Sequence, residues 1–297
     1  MKQIALISGK GGTGKTSVTA AFIQLAKNAV AVDCDVDAAN LYLLISPRNQ
    51  RRSPAAFMSG YDAEVNKNRC ISCGKCVPIC VFDAIARDEA DNKVKINHLL
   101  CEGCGACVTI CRANAIRLVN KQAGESYISN TRFGVMAHAK LRAGEGSSGK
   151  LVAEIRKQAF DIAQSENNDF IILDGSPGTG CPVIATLTGT DYAIVVIEPT
   201  VSGIHDAKRV IELCRHFKVG VMAIINKYDI NPAMSEVIER FADRENIKVI
   251  AKIAYDKIFS EAMKKQMTVV EYDKNSAAAA SLVSAWDNLV KSIWLTY

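Results

Sequence analysis

Eight of the eleven cysteines form two short runs with the same spacing. The first run is Cys70, Cys73, Cys76 and Cys80, and the second, thirty-one residues later, is Cys101, Cys104, Cys107 and Cys111. The spacing C-x₂-C-x₂-C-x₃-C binds cubane clusters, and in two-run proteins the fourth cysteine of each run ligates the other cluster. We therefore predict two [4Fe-4S] sites, one held by Cys70, Cys73, Cys76 and Cys111, the other by Cys101, Cys104, Cys107 and Cys80.

Two observations bear on this prediction. Zinc is the competing metal, but zinc sites normally use paired C-x₂-C elements and not two runs of four cysteines. The proline that usually follows the fourth cysteine is absent, with Val81 and Arg112 in its place. We expect this difference to affect the local turn and the reduction potential more than ligation, because no ligand is missing.

A phosphate-binding pattern lies near the N-terminus. The segment GKGGTGKTS comprises Gly9, Lys10, Gly11, Gly12, Thr13, Gly14, Lys15, Thr16 and Ser17. It satisfies G-x-x-x-x-G-K-[ST], in which glycine backbone amides cradle phosphates, the lysine neutralises them and the hydroxyl binds Mg²⁺. We assign these roles to Lys15 and Thr16, with ATP and Mg²⁺ as the cofactors.

Carboxylates and one amide follow other apolar runs. The segment DCDVD places Asp33 and Asp35 after one such run, and Asp174 precedes the glycine-rich segment GSPGTG after another. Asn226 opens the segment NKYD after a third. Ligands bind at the carboxyl ends of parallel strands, so these residues are expected at one edge of a sheet.

The elements that must position these residues alternate between strands and helices. Apolar runs predict buried strands, and helix-length amphipathic stretches lie between them. The predicted strands span 3–8, 29–32, 170–173, 192–197, 219–225 and 248–253. The fold class is therefore α/β, a doubly wound and mostly parallel sheet.

The cysteine runs interrupt this alternation. We predict a discontinuous ATPase domain of residues 1–60 and 119–297, with a small α+β ferredoxin-like domain inserted at 61–118. Residues 141–149 are rich in Gly and Ser and predict a flexible connection back to the main domain. So small an insertion depends on bound clusters for much of its stability.

A second lysine in the phosphate loop, Lys10, marks a subclass. Here the chain resembles the MinD/ParA/Mrp group of deviant-Walker ATPases, carrying an inserted two-cluster ferredoxin domain. The resemblance implies that Lys10 acts across an ATP-dependent homodimer and that Asp35 activates the attacking water. It also implies that Asp33 and Asp174 lie near Mg²⁺ and that Asn226 recognises adenine.

Cys181 and the C-terminal segment can be compared with two features of related ATPases, a cluster-binding cysteine pair and a membrane-targeting helix. Cluster carriers of the Mrp type have a C-P-x-C pair, whereas this chain has Cys181, Pro182, Val183 and Ile184, so an intersubunit cluster is not favoured. Apolar residues recur at helical spacing over 276–297, but Lys291 is the single cation there. We therefore expect this segment to dock on the sheet and not to anchor the chain to a membrane.

Charge and composition argue against a nucleic-acid-binding or membrane-spanning protein. The formal charge of +5 falls to roughly +1 once two clusters of about −2 each are included, and no nucleic-acid-binding motif is present. Nucleic acid is not expected as a partner. No apolar run is long enough for a membrane span, and we expect a cytoplasmic location.

Three functions remain open. ATP-gated electron transfer to an unidentified redox partner uses both the loop and the cysteines. The alternatives are an Mrp-like ATPase that assembles or carries a cluster or metallocofactor for an apo-protein, and a MinD/ParA-like positioning ATPase, which would leave the inserted cysteines without a purpose.

Overall fold

The computed structural model of the chain describes residues 1–294. In the first half of the chain the elements are β1 (Lys2–Ser8), α1 (Lys15–Ala26), β2 (Ala29–Asp33), α2 (Tyr42–Ile45), β3 (Asn49–Gln50), β4 (Ala55–Val65), β5 (Ile85–Arg87), β6 (Val94–Ile96), α3 (Ala106–Ile110), β7 (Ile116–Thr131) and β8 (Gly134–Leu141). In the second half they are α4 (Ser148–Ser165), β9 (Phe170–Pro177), α5 (Cys181–Leu187), β10 (Tyr192–Ile197), α6 (Val201–His216), β11 (Gly220–Asn226), α7 (Pro232–Arg244), β12 (Lys248–Ile253), α8 (Ile258–Lys264), α9 (Val269–Tyr272) and α10 (Ala277–Trp294).

The chain divides into two compact units. The first unit comprises 1–55, 126–140 and 148–297, and the second comprises 56–125 and 141–147. The second unit is longer at both ends than the predicted insertion of 61–118, because β4 and the first part of β7, which pair with each other, flank the cysteine runs.

The first unit is built on a mostly parallel sheet. Its strand order is β12-β11-β10-β1-β9-β2-β8-β7-β3, with parallel pairing from β12 through to β8. The edge strand β3 is antiparallel to β7. This arrangement confirms the predicted α/β class, and it brings the carboxyl ends of β1, β2, β9 and β11 to one edge of the sheet.

The C-terminal helix α10 packs in the core of the first unit. Trp286 lies edge-on to Phe22 and to Phe170, with ring centroids 5.4 Å apart in both pairs. Leu282 and Leu289 are fully buried beside it. Over the described residues, α10 thus docks on the sheet as predicted. Residues 295–297 of the predicted C-terminal helix lie outside the described residues.

Two predicted boundaries differ from the structure. The connection predicted at 141–149 covers only 142–147, because β8 extends to Leu141 and α4 already begins at Ser148. The strand predicted at 170–173 continues to Pro177, since Gly175 and Ser176 are buried and stay in the sheet.

The second unit combines short strands with the cysteine runs. β5 and β6 form an antiparallel pair, with Ile85 opposite Ile96. A small core of Ala63, Ile85, Val94 and Ile116 includes the buried Cys76 and Cys107, and six further cysteines are partly buried against it or exposed at its edge. The core of this unit is therefore small, and two of its buried side chains are cysteines.

Candidate functional site

The loop between β1 and α1 is shaped for close contact with a ligand. Gly12 and Gly14 have φ values of +79° and +86°, a left-handed conformation that glycine adopts without strain. The loop borders a cavity of about 270 Å³. The lining residues are Ser8, Gly11, Gly12, Thr13, Gly14, Lys15, Thr16, Ser17, Asp35, Asn40, Pro177 and Met263.

One buried carboxylate collects the polar groups at the floor of this cavity. Lys15 Nζ lies 2.7 Å from Asp174 Oδ1, and Thr16 Oγ1 donates to Asp174 Oδ2 at 2.8 Å. Thr19 Oγ1 donates to Asp174 Oδ1 at 2.7 Å. Asp174 is fully buried, so a charge that would be costly alone is compensated by one cation and two hydroxyls.

Asp33 organises the loop that follows β2. Its carboxylate accepts hydrogen bonds from the backbone amides of Asp35 and Leu41, each at 3.1 Å. Burial, and next the negative charge of Asp174, raise the pKa of Asp33 to about 7. The structure thus brings Asp33 beside the predicted magnesium ligands and shows its two oxygens bound to backbone.

Asp35 lies further out, on the cavity wall. Its side chain is partly buried, and burial raises the pKa of its carboxyl above the ordinary value, while the charge of Lys15 lowers it. Ser176 Oγ approaches Asp35 Oδ1 at 3.5 Å and donates to the Cys34 carbonyl at 3.0 Å. The structure thus places the carboxyl group of Asp35 on the cavity wall that also includes the phosphate loop.

Asn226 and Lys227 hold the phosphate loop from the end of β11. Asn226 Nδ2 donates to the Thr13 carbonyl at 2.7 Å, and Lys227 Nζ donates to the Gly12 carbonyl at 2.9 Å. Two buried oxygens nearby, Asn226 Oδ1 and Thr13 Oγ1, have no hydrogen-bond partner within the part of the chain that the structure describes. An unpaired buried acceptor is unfavourable, so Asn226 Oδ1 is suited to receive a donor from a ligand.

Lys10 does not line the cavity. Its ammonium group donates to Thr200 Oγ1 at 3.0 Å and Ser202 Oγ at 3.3 Å, and lies 3.5 Å from Glu198 Oε2. Glu198 to Thr200 is the segment that follows β10, and Thr200 caps the start of α6. The structure therefore separates Lys10 from Lys15, although the two belong to one sequence motif.

In the second unit, the first predicted set of four cysteines is brought together. Burial raises the pKa of the Cys76 thiol, and the neighbouring thiols that raise it further are those of Cys111, Cys73 and Cys70. The Ala115 amide donates to Cys111 Sγ at 3.3 Å. Cys111 therefore lies close enough to the first run to influence Cys76 electrostatically.

The second predicted set surrounds an apolar cavity. Cys80, Cys101, Cys104 and Cys107 line it together with Ala63, Phe82, Ala84, Ile85, Ile96, Glu102, Gly103, Gly105 and Ala106. Burial, then the charges of Cys101 and Cys104, raise the pKa of the Cys107 thiol. Among residues 1–294, no three His, Cys, Asp or Glu side chains converge closely enough to hold a single metal ion.

Sequence reasoning missed the buried Thr19, which contacts Asp174, and four of the residues that line the cavity, namely Ser8, Asn40, Pro177 and Met263. Thr19 lies one helical turn after Lys15 on α1, and that spacing was the available signal for its contact with Asp174. Met263, on α8, lines the cavity from a distant part of the chain, and no motif marks it. Cys181 is exposed at the start of α5.

Comparisons with known proteins agree with this geometry. The family model for the CobQ/CobB/MinD/ParA nucleotide binding domain matches residues 4–269. The uncharacterized protein MJ0578 of Methanocaldococcus jannaschii is 38% identical over 232 residues, which cover 77% of this chain and 79% of that protein. The iron-sulfur cluster carrier protein of Pyrococcus horikoshii is 26% identical over 144 residues, 44% of this chain and 49% of the carrier.

The solved structures show the same fold. The cell division ATPase MinD of Pyrococcus furiosus superposes with a TM-score of 0.60 at 18% identity, covering 98% of this chain and 99% of MinD. At that identity the likeness concerns the fold alone. The family match over nearly the whole chain goes further, and the chain belongs to the CobQ/CobB/MinD/ParA nucleotide binding domain family.

Proposed function

We propose that this protein binds and hydrolyses ATP and couples a nucleotide-dependent dimer or switch state to electron transfer through two [4Fe-4S] clusters. The observation that carries the proposal is the crossed grouping of eight cysteines into two sets of four, in a chain that also has a phosphate loop. Neither feature alone requires the other, and a protein with both has the means to link nucleotide state to redox state.

The nucleotide half assigns a role to each polar group of the cavity. The loop amides and Lys15 hold the phosphates, and Thr16 and Asp174 hold Mg²⁺, with Asp33 behind them. Asp35 orients the attacking water. Asn226 Oδ1, which lacks a donor, accepts from the exocyclic amine of adenine.

The switch element is the segment that follows β9. Gly178 has a φ of +89° and its amide donates to the Ser8 carbonyl at 2.9 Å, and Gly180 precedes α5. We expect the backbone at 178–180 to change conformation when the γ-phosphate is lost. Just before this segment, at the end of β9, Ser176 Oγ donates to the Cys34 carbonyl, next to Asp35. The nucleotide state is thereby sensed by backbone directly connected to Asp174.

The cysteine half fits iron-sulfur chemistry by its donors. Each set offers four soft thiolate ligands with backbone amides donating to sulfur, as iron-sulfur sites require. Such clusters supply one-electron transfer. The chain's own contribution is to position the thiols, exclude water with Ala63, Ile85 and Ile96, and set the local charge.

A second candidate function is cluster assembly or carriage, which two partial relatives favour. The cytosolic Fe-S cluster assembly factor NUBP2 homolog of Dictyostelium discoideum is 29% identical over 147 residues, 44% of this chain and 56% of that protein. The carrier of Pyrococcus horikoshii matches a similar share. The missing C-P-x-C pair at Cys181 argues against a transferable site of that kind.

The partners follow from the same reasoning. We propose an ATP-dependent homodimer, consistent with the MinD-like fold, and a redox protein that exchanges electrons with the cysteine unit in the cytoplasm. No helix within residues 1–294 has both the length and the apolar character needed to cross a membrane.

The decisive experiment is anaerobic reconstitution followed by EPR spectroscopy of the reduced protein with and without Mg-ATP. Electron transfer predicts about eight iron atoms per chain, two interacting reduced centres, and a spectrum or midpoint potential that shifts with Mg-ATP. The matched control is Lys15→Ala, which should keep the iron and lose the shift.

Other outcomes would redirect the proposal. Reconstituted protein that passes iron and sulfide to an apo-acceptor would support assembly instead. Iron content far below eight per chain, with unchanged ATP binding, would remove the redox half of the proposal.

A further inference from the structure

The two cysteine sites differ in the charge of the side chains around them. The internal repeat allows this charge to be compared at each pair of equivalent positions. An offset of thirty-one residues superposes the first run on the second. Three cations of the first half have uncharged counterparts in the second: Arg69, Lys75 and Arg87 correspond to Leu100, Ala106 and Leu118. In the opposite direction, Ile71 corresponds to Glu102.

The crossed fourth cysteine adds to this asymmetry. Cys111 lies with the first set and is followed by Arg112, whereas Cys80 lies with the second set and is followed by Val81. Asp83 is near Cys80, and its counterpart in the repeat is the uncharged Asn114. These differences make the first set more positive and the second more negative. Two differences run the other way, since Arg117 corresponds to Ala86 and Asp88 to Val119, but Arg117 pairs with Glu64 and Asp88 with Lys67.

The structure fixes one of these cations against the first set. Arg87 Nη1 donates to the Ser72 carbonyl at 3.0 Å and to Asn92 Oδ1 at 3.2 Å. A methyl group on Gly74 would lie 2.1 Å from Arg87 Nη2, so the guanidinium rests on the backbone between Cys73 and Cys76. Glu102, in contrast, lines the cavity of the second set.

Hydrogen bonds to sulfur oppose the effect of these charges, because they favour the second set. Within residues 56–125, backbone amides donate to Cys80 and Cys101 of the second set at 3.4 Å, and to Cys111 of the first set at 3.3 Å. The sulfur atoms of the second set thus accept one more hydrogen bond from a backbone amide than those of the first set. A single long N–H···S contact is weaker than the combined effect of several full charges. It therefore reduces the electrostatic difference between the two sites without reversing it.

We propose that the site of Cys70, Cys73, Cys76 and Cys111 has a higher reduction potential than the site of Cys101, Cys104, Cys107 and Cys80. Reduction adds negative charge, which cations stabilise and carboxylates destabilise. With both clusters bound, an electron given to the second site by a one-electron donor would pass to the first site, which would be reduced as the second is reoxidised. This ordering rests on the proposed function, because it presupposes two clusters.

The test is an EPR-monitored redox titration of the full-length, reconstituted protein at low ionic strength. Arg69→Leu/Lys75→Ala gives the first half the residues of the second, and it should lower the higher midpoint potential alone. Because these cations are exposed, we expect the reduced-to-oxidised ratio at that site to fall about two- to fivefold. This corresponds to ~20–40 mV for a one-electron couple.

A reciprocal variant and a control complete the design. Glu102→Ile should raise the lower potential alone, and added salt should shrink both shifts. Lys291→Ala removes one positive charge from the first unit and should move neither potential.

Each alternative result has its own meaning. Equal potentials, a shift of the lower potential in Arg69→Leu/Lys75→Ala, or an equal shift in Lys291→Ala would overturn the ordering. Wild-type protein with far fewer than eight iron atoms would instead overturn the proposed function, and the ordering with it.

Discussion

Replacing Thr19 by valine tests whether the nucleotide site depends on a hydroxyl that no motif identifies. Thr19 is fully buried, and its Oγ1 donates to Asp174 Oδ1 at 2.7 Å. A hydrogen bond to a charged group contributes about 1.5–3 kcal/mol, and valine preserves the shape of threonine while removing the donor. We expect Thr19→Val to lower the free energy of unfolding by about 2 kcal/mol.

The assay is urea unfolding of the nucleotide-free protein, with Thr186→Val as the matched control. Thr186 is also fully buried, but its hydroxyl donates to the Pro182 carbonyl within helix α5, a neutral and local bond. The control should therefore lose less than about 1 kcal/mol. For a unit of this size, 2 kcal/mol corresponds to a fall in melting temperature of ~4–8 °C.

A double-mutant cycle makes the test sharper. If Thr19 acts through Asp174, then Thr19→Val should have little effect in the Asp174→Asn background, with a coupling energy of about 1 kcal/mol or more. Thr19→Val and Thr186→Val that destabilise equally, or a coupling energy near zero, would refute the role assigned to Thr19.

Three further predictions concern other parts of the first unit. Gly14→Ala should abolish nucleotide binding in a calorimetric titration, because φ is +86° and the added methyl would lie 2.3 Å from Asn226 Nδ2. Arg156→Met should destabilise the protein by about 2–3 kcal/mol in urea, and the exposed Lys157→Met should not, because Arg156 donates to two carbonyls at the end of α5. Burial lowers the pKa of His138 to about 4. Between pH ~4 and 6.5 the folded state therefore binds fewer protons than the unfolded state, and it loses stability as the pH falls through that range. Comparing urea unfolding at pH 4.5 and 7 should show that His138→Gln removes this loss, which is up to about 3 kcal/mol.

The sequence predicted six of the seven strands that pair in parallel, since their apolar runs end abruptly at polar residues, and it missed β8. β10 and β12 begin and end at the predicted residues, 192–197 and 248–253. The 16-residue strand β7 was not predicted, because polar residues such as Asn120, Lys121 and Gln122 interrupt its apolar pattern. Its pairing with β4 and β3, which are distant in sequence, keeps it extended.

The candidate site was predictable where a motif fixes the backbone and unpredictable where side chains meet through the fold. The loop from Gly9 to Ser17 and the eight cysteines follow from spacing alone. The contacts of Asn226 with Thr13, and of Lys10 with Thr200, join elements about two hundred residues apart and depend on the strand order. Local sequence carries no record of that order.

The shared bonding of Asp174 has a consequence for the order in which ligands bind. In the structure, Lys15 and Thr16 are both engaged with this carboxylate. Phosphate must therefore compete for a lysine whose charge is neutralised, until a divalent cation occupies the carboxylate in its place. Nucleotide and magnesium are thus thermodynamically linked, and by reciprocity each should strengthen the binding of the other by the same factor.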